Sequence, residues 1–135
     1  MKEELQQKLF QKYPELFKQR DLSLQESAMP RKIETDDGWY WLLDKLCECI
    51  QSCIGLNKLK QIEFVQVKEK LGSLCIFTNY SNEIIDGMIW FAGHLSLYSC
   101  ECCGVSKNIT QTEERTEGRI NTLCPKCNDE GKHDL

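Results

Sequence analysis

The chain has 135 residues, 41% of them apolar, with a formal net charge of −4 and a pI near 5.3. That size suits one domain with its own core, plus at most a small metal-bound appendage. The acidic balance argues against non-specific DNA or RNA binding, which phosphate neutralisation drives, and no run approaches the roughly 18 apolar residues of a membrane span. Nine cysteines are many for this length. The count is odd, and Met1-Lys2-Glu3-Glu4-Leu5 reads as a charged helix opening rather than an export sequence. Reduced thiols in a soluble protein of a reducing cytoplasm are therefore expected, not a disulfide framework.

Residues 1–20 are expected to be helical, with Leu5, Leu9 and Tyr13 at helical spacing beside Phe10 and Phe17. Pro14 should break the helix at Tyr13 and start a short second turn. Residues 21–37 lack periodicity and read as a loop, with Met29–Ile33 able to lie extended against the body. Asp36-Asp37-Gly38-Trp39 reads as a helix start, the aspartates capping free N–H groups and complementing the helix dipole. Trp39, Leu42, Leu43, Leu46, Ile50, Cys53 and Ile54 then mark a core helix over 38–55, ended by Gly55 and Asn57. Cys47, Cys49 and Cys53 lie on it. Cys49 and Cys53 are one turn apart, as two metal ligands could be, but small reduced hydrophobes are the plainer reading.

Over 61–80 the period changes to that of strands, and Gly72 supplies a turn, so a β-hairpin is expected. Lys58, Lys60, Lys68 and Lys70 outnumber Glu63 and Glu69 here, the one locally basic stretch. They are candidates for binding an acidic partner, although strand-edge lysines also serve to block edge pairing. Ser81 or Asn82 should cap a second helix over 82–98, apolar over more than one stripe (Ile84, Ile85, Met88, Ile89, Ala92, Leu95, Leu97). Trp90 and Phe91 extend that face. Such a helix is expected to be sandwiched between the hairpin and the first core helix, with His94 a core or rim residue.

Cys100-Glu101-Cys102-Cys103-Gly104 is answered by Cys124-Pro125-Lys126-Cys127, giving C-x2-C, twenty residues, C-x2-C. This is four-cysteine zinc spacing, with Cys100, Cys103, Cys124 and Cys127 as ligands of one structural Zn²⁺. Gly104 sits where such a knuckle needs a positive φ, and Pro125 pre-sets φ in the second knuckle. The polar stretch between them fits two short ribbon strands, at Ile109 and Ile120–Leu123, with Gly118 near the turn and Glu113 and Glu114 in a solvated loop. The expected architecture is α+β: a body over 1–99, a zinc ribbon over 100–128 and a frayed charged tail over 129–135.

The Asp37-Gly38-Trp39 helix start, the hairpin Val67-Lys68-Glu69-Lys70-Leu71-Gly72-Ser73-Leu74, and the ribbon ending Thr122-Leu123-Cys124-Pro125-Lys126-Cys127 occur in that order. Together they resemble a family of small proteins encoded by bacteriophages and prophages, over roughly residues 36–128. The resemblance implies a context, phage genes acting in a bacterial cytoplasm, rather than a mechanism. Cys102 departs from the family's commoner pattern. Adjoining Cys103, it should point away from the ion if Cys100 and Cys103 chelate it.

Four thiolates fill a tetrahedral site and leave no open position for chemistry. Elsewhere the chain offers two histidines, His94 and His133, and no phosphate loop or recognisable nucleophile–base pair. A non-enzymatic protein is expected. It would bind and modulate a host or defence protein, with inhibition of an anti-phage nuclease as one concrete form, because an acidic chain suits a partner with a basic groove. Nucleic-acid binding through the ribbon and hairpin lysines is the alternative. It is disfavoured by five Lys/Arg against seven Asp/Glu over 100–135. Sequestration of a small nucleotide is a third.

Overall fold

The structure, a computed structural model, describes residues 1–113 and 118–131. Its order is α1 (Glu3–Lys12), β1 (Ile33–Glu34), α2 (Tyr40–Leu56), β2 (Phe64–Lys70), β3 (Ser73–Thr78), α3 (Glu83–Ser96), β4 (Thr110–Glu113), β5 (Ile120–Leu123) and α4 (Pro125–Gly131). The class is α+β. β1, β2 and β3 form one sheet, with β1 parallel and β3 antiparallel to the central β2; β4 and β5 form a separate antiparallel ribbon.

Leu9, Phe17, Trp39, Leu43, Ile50, Phe64 and Val67 are buried in one core shared by α1, α2 and the inner face of the sheet. Phe10, Phe17 and Phe64 meet edge to face at 5.1 and 5.2 Å. The favoured aromatic geometry adds to their area burial. Asp44 on α2 accepts from the Tyr13 hydroxyl at 2.8 Å and the Lys12 ammonium at 2.7 Å, tying the end of α1 to α2.

Three expectations need correction. Residues 21–37 lie against the body, with Ser27, Met29, Ile33 and Thr35 buried, but Met29–Arg31 is a 3₁₀ turn rather than extended and Ile33 pairs with Val67 as a strand. The Gln6 side chain accepts the Ile33 N–H at 2.9 Å. A two-residue strand fixed by such long-range contacts has no period to read. Asp36 and Asp37 do not cap α2. Residues Asp37–Trp39 form a 3₁₀ turn before it, and the Asp37 carboxylate instead accepts the Lys2 N–H at 2.7 Å. Gly55 lies inside α2; Asn57 is the residue that ends it.

The expectation for α3 holds in part. Asn82 caps it, its side-chain oxygen accepting the Ile85 N–H at 3.0 Å. It packs between β3 of the hairpin and α2, as expected, but these neighbours leave much of its apolar surface uncovered. It lies along the free edge of β3, where Leu74 N–H donates to Ser96 Oγ at 2.8 Å. Only Ile85, Ala92 and Ser96 are fully buried, and Ile84, Trp90, Phe91 and Tyr98 face solvent. A sheet edge and one other helix cover only part of a helix's circumference, so an apolar girdle wider than one stripe stays partly uncovered. Among the described residues no helix is long and apolar enough to cross a membrane.

Candidate functional site

The end of α3 runs into the first knuckle, and β5 steps into α4 through the second. Gly104 N–H donates back to Cys100 O at 2.8 Å, closing a tight turn at φ +85°. Pro125 opens α4, where a missing N–H costs nothing. These turns bring together the sulfurs of Cys100, Cys103, Cys124 and Cys127, all within 4.8 Å of one another. The Cys103 and Cys124 sulfurs are 3.8 Å apart. A tetrahedron with metal–sulfur bonds of about 2.3 Å has edges of about 3.8 Å. The four cysteines could therefore hold a metal ion. The Cys127 backbone N–H draws the Cys124 thiol down to about 7. Burial, and then the Cys124 sulfur, push Cys127 up. A cation is what lets four crowded thiols ionise together.

The knuckle is bolted to the body by groups from the other two motifs. Gly38 N–H donates to Glu101 O at 2.6 Å, and a Cβ at Gly38 would lie 2.2 Å from Cys100 O. Only glycine fits there. Trp39 Nε1 donates to Ser99 O at 2.9 Å and Trp41 Nε1 to Ser99 Oγ at 3.2 Å. The Glu101 carboxylate accepts the Asp36 N–H at 3.3 Å. Burial, and then the Asp36 charge, push that carboxyl up to about 7. At the hairpin tip, Thr122 Oγ1 donates to Gly72 O at 2.5 Å, and Arg119 pairs with Glu69 at 3.3 Å. The helix start, the hairpin turn and the ribbon thus form one joint.

Cys102 is exposed and outside the four-sulfur cluster. Cys47 is buried, Cys53 half-buried and Cys49 exposed; none joins the cluster. Glu114, Glu117 and His133, with the end of the tail, lie outside the described residues, while Asn128–Gly131 is helical. The four lysines fall into two pairs. Lys58 and Lys60 lie between α2 and β2, with Lys60 Nζ 4.9 Å over the Tyr80 ring. Lys68 and Lys70 lie on the outer face at the far end of β2, roughly 20 Å away along the strand. Because β2 is the middle strand, they do not block an edge.

No family model, curated protein or solved structure matches the chain.

The most conspicuous exposed surface is one that no motif announced. Trp90 is 76% exposed, Phe91 62% and Tyr98 57%. His94 stacks on Trp90 at 6.1 Å and 15° and lies 5.6 Å from Tyr98. Across a groove of about 420 Å³ stand Lys70, Leu71 and Cys75 of the hairpin. The signal was present in the sequence: Ile84, Trp90 and Phe91 add apolar side chains to a helix already apolar on its other side.

Proposed function

We propose that the chain is a non-enzymatic, zinc-stapled binding protein that presents the outward face of α3 to a protein partner. The observation that carries this reading is the exposure of Trp90 and Phe91 on α3 and of Tyr98 in the turn that follows it. Isolated apolar residues on a surface are ordinary, but a contiguous aromatic face of several hundred Å² marks an interaction site. Tryptophan and tyrosine are also enriched where interfaces gain most of their energy.

Zinc is the metal that a closed set of four thiolates at tetrahedral spacing suits best. In this reading it is structural. It fixes the ribbon and, through the joint with Gly38 and Trp39, the start of α2. The resemblance to phage-encoded proteins supplies the setting: an accessory protein of the bacterial cytoplasm that modulates a host or defence protein, inhibition of an anti-phage nuclease being one form.

The test is a quantitative pull-down from bacterial lysate, with the wild-type chain beside a Trp90→Ser/Phe91→Ser double variant. A partner retained saturably by the wild type and at least tenfold less by the variant is the expected result. Equal retention by both, or none by either, would count against the α3 face. Elemental analysis of protein purified without chelator should find about one zinc per chain. Substantially less zinc would remove the staple from the proposal.

A further inference from the structure

The hairpin tip carries a residue that its turn does not want. β2 and β3 are joined by two residues, Leu71 and Gly72, both at positive φ (+53° and +85°) and flanked by the Lys70–Ser73 pair. This is a type I′ geometry, which asparagine, aspartate and glycine adopt cheaply and leucine does not. Leu71 is moreover 68% exposed. An apolar side chain is thus held in solvent, in a disfavoured backbone conformation, at the mouth of the groove between β3 and α3. Ile89, Trp90 and Leu97 make the opposite wall.

The charges around this groove are one-sided. Among the described residues, Lys70 is the only charged residue lining it, and no carboxylate does so. Lys68 lies on the same face of β2, its ammonium 5.7 Å over the Phe77 ring. Neither lysine makes an ion pair among the described residues. Glu69, between them in sequence, is drawn to the other side by Arg119. In a chain of net charge −4 this is a local inversion.

We propose that this groove docks an acidic peptide segment of a partner protein. A large apolar side chain sits between Leu71 and Trp90, and a neighbouring carboxylate meets the Lys70 ammonium. The inference rests on the reading of α3 as the binding face and names the chemistry of what binds there. A second copy of the chain fits less well, because a two-fold interface would bring the lysine-bearing patch against itself. A nucleic-acid strand fits less well too, since it needs a row of cations rather than an aliphatic trough with one lysine.

The experiment is selection of a displayed library of random sixteen-residue peptides on the full chain purified without chelator. The enriched sequences are expected to place Asp or Glu beside a large apolar residue. Lys70→Glu should weaken the selected peptides at least tenfold, and Lys70→Arg should not. Leu71→Asn should weaken them at least tenfold while raising the melting midpoint by about 2–4 °C, because asparagine relieves the turn. That opposition of binding and stability is not what a merely structural leucine gives. Neutral or basic enriched sequences that still require Trp90 would sink the acidic segment but leave the α3 face standing. Enriched peptides indifferent to both Leu71→Asn and Trp90→Ser, or no enrichment at all, would sink both. Tighter binding of a labelled oligothymidylate that depends on Lys70, or a dimer that Leu71→Asn dissolves, would replace the proposed occupant by nucleic acid or by a second copy.

Discussion

The ribbon joint and the outward face of α3 are opposites in how they use sequence. At the joint, Gly38, Trp39, Gly72, Ser99, Glu101 and Thr122 are buried or linked by short hydrogen bonds across long sequence separations. Each residue is constrained by several neighbours, and the four-cysteine cluster closes the set. On α3 and in the turn after it, Trp90, Phe91 and Tyr98 are largely exposed. The first region holds the motifs, and the second has none. A motif records how tightly a position is constrained. Here most of that constraint comes from one chain fastening to itself, while a surface built to meet another molecule leaves only composition behind.

The largest expected effect is therefore at the joint. Cys124→Ser, or a chelator, should release the metal and unfold β4 and β5. A structural zinc supplies roughly 10–16 kcal/mol in small peptides, which matches the whole stability of about 5–15 kcal/mol of a typical domain. The loss should reach the body as well, because Ser99 and Glu101 hold Trp39 and Gly38. Tryptophan emission and near-UV circular dichroism should both change on metal loss. Unchanged spectra would mean that the ribbon is a detachable appendage and the joint unimportant. Next is Gly38→Ala. A methyl group 2.2 Å from Cys100 O must displace the knuckle, and overpacking of this kind costs about 3 kcal/mol or more. It should also speed metal loss to a chelator, a readout that a fault confined to the start of α2 would not give.

Much of this was legible from residues, and the failures have physical causes. The two knuckles could be read because two cysteines must aim at one ion, which leaves few spacings. α2 could be read because one stripe repeats over four turns. β1 could not, because it is two residues long and exists only as a partner of Val67 and Lys68. The capping role expected of Asp36 and Asp37 failed because the chain enters α2 through a 3₁₀ turn, and their groups bond to Lys2 and Glu101 instead. Trp90 and Phe91 extend the apolar face in sequence yet are exposed, because periodicity reports which side chains are apolar. It does not report how many neighbours the fold will supply. Leu71 carries no turn signal because leucine is not a residue that favours positive φ, although it and Gly72 together define the turn.

A smaller effect is expected on the far side of the body. Burial alone would raise the Asp44 carboxyl, but hydrogen bonds from Lys12 and Tyr13 outweigh it and hold it below the usual carboxylate range. A carboxylate depressed in the folded state stabilises above its unfolded pKa of about 3.9, and that contribution is lost as pH falls through the lower folded value. Asp44→Ala should cost about 2 kcal/mol at pH 7, with the gap from wild type narrowing below about pH 4. Denaturant melts at pH 7 and pH 3 would show it. A gap independent of pH would assign the cost to packing alone.

The smallest stability effect should fall on the residues given the largest role in binding. Trp90→Ser removes a side chain that is 76% exposed and whose nearest aromatic partner, His94, is itself exposed. A surface change of this kind moves stability by no more than about 0.5 kcal/mol, and the melting curve should overlay the wild type. If the variant instead loses 2 kcal/mol or more, Trp90 is holding α3 against β3, and its exposure is part of how the sheet edge is covered. If stability is unchanged and the pull-down partner is lost, the contrast between the two regions holds: the joint sets whether the chain folds, and the open helix face sets what it meets.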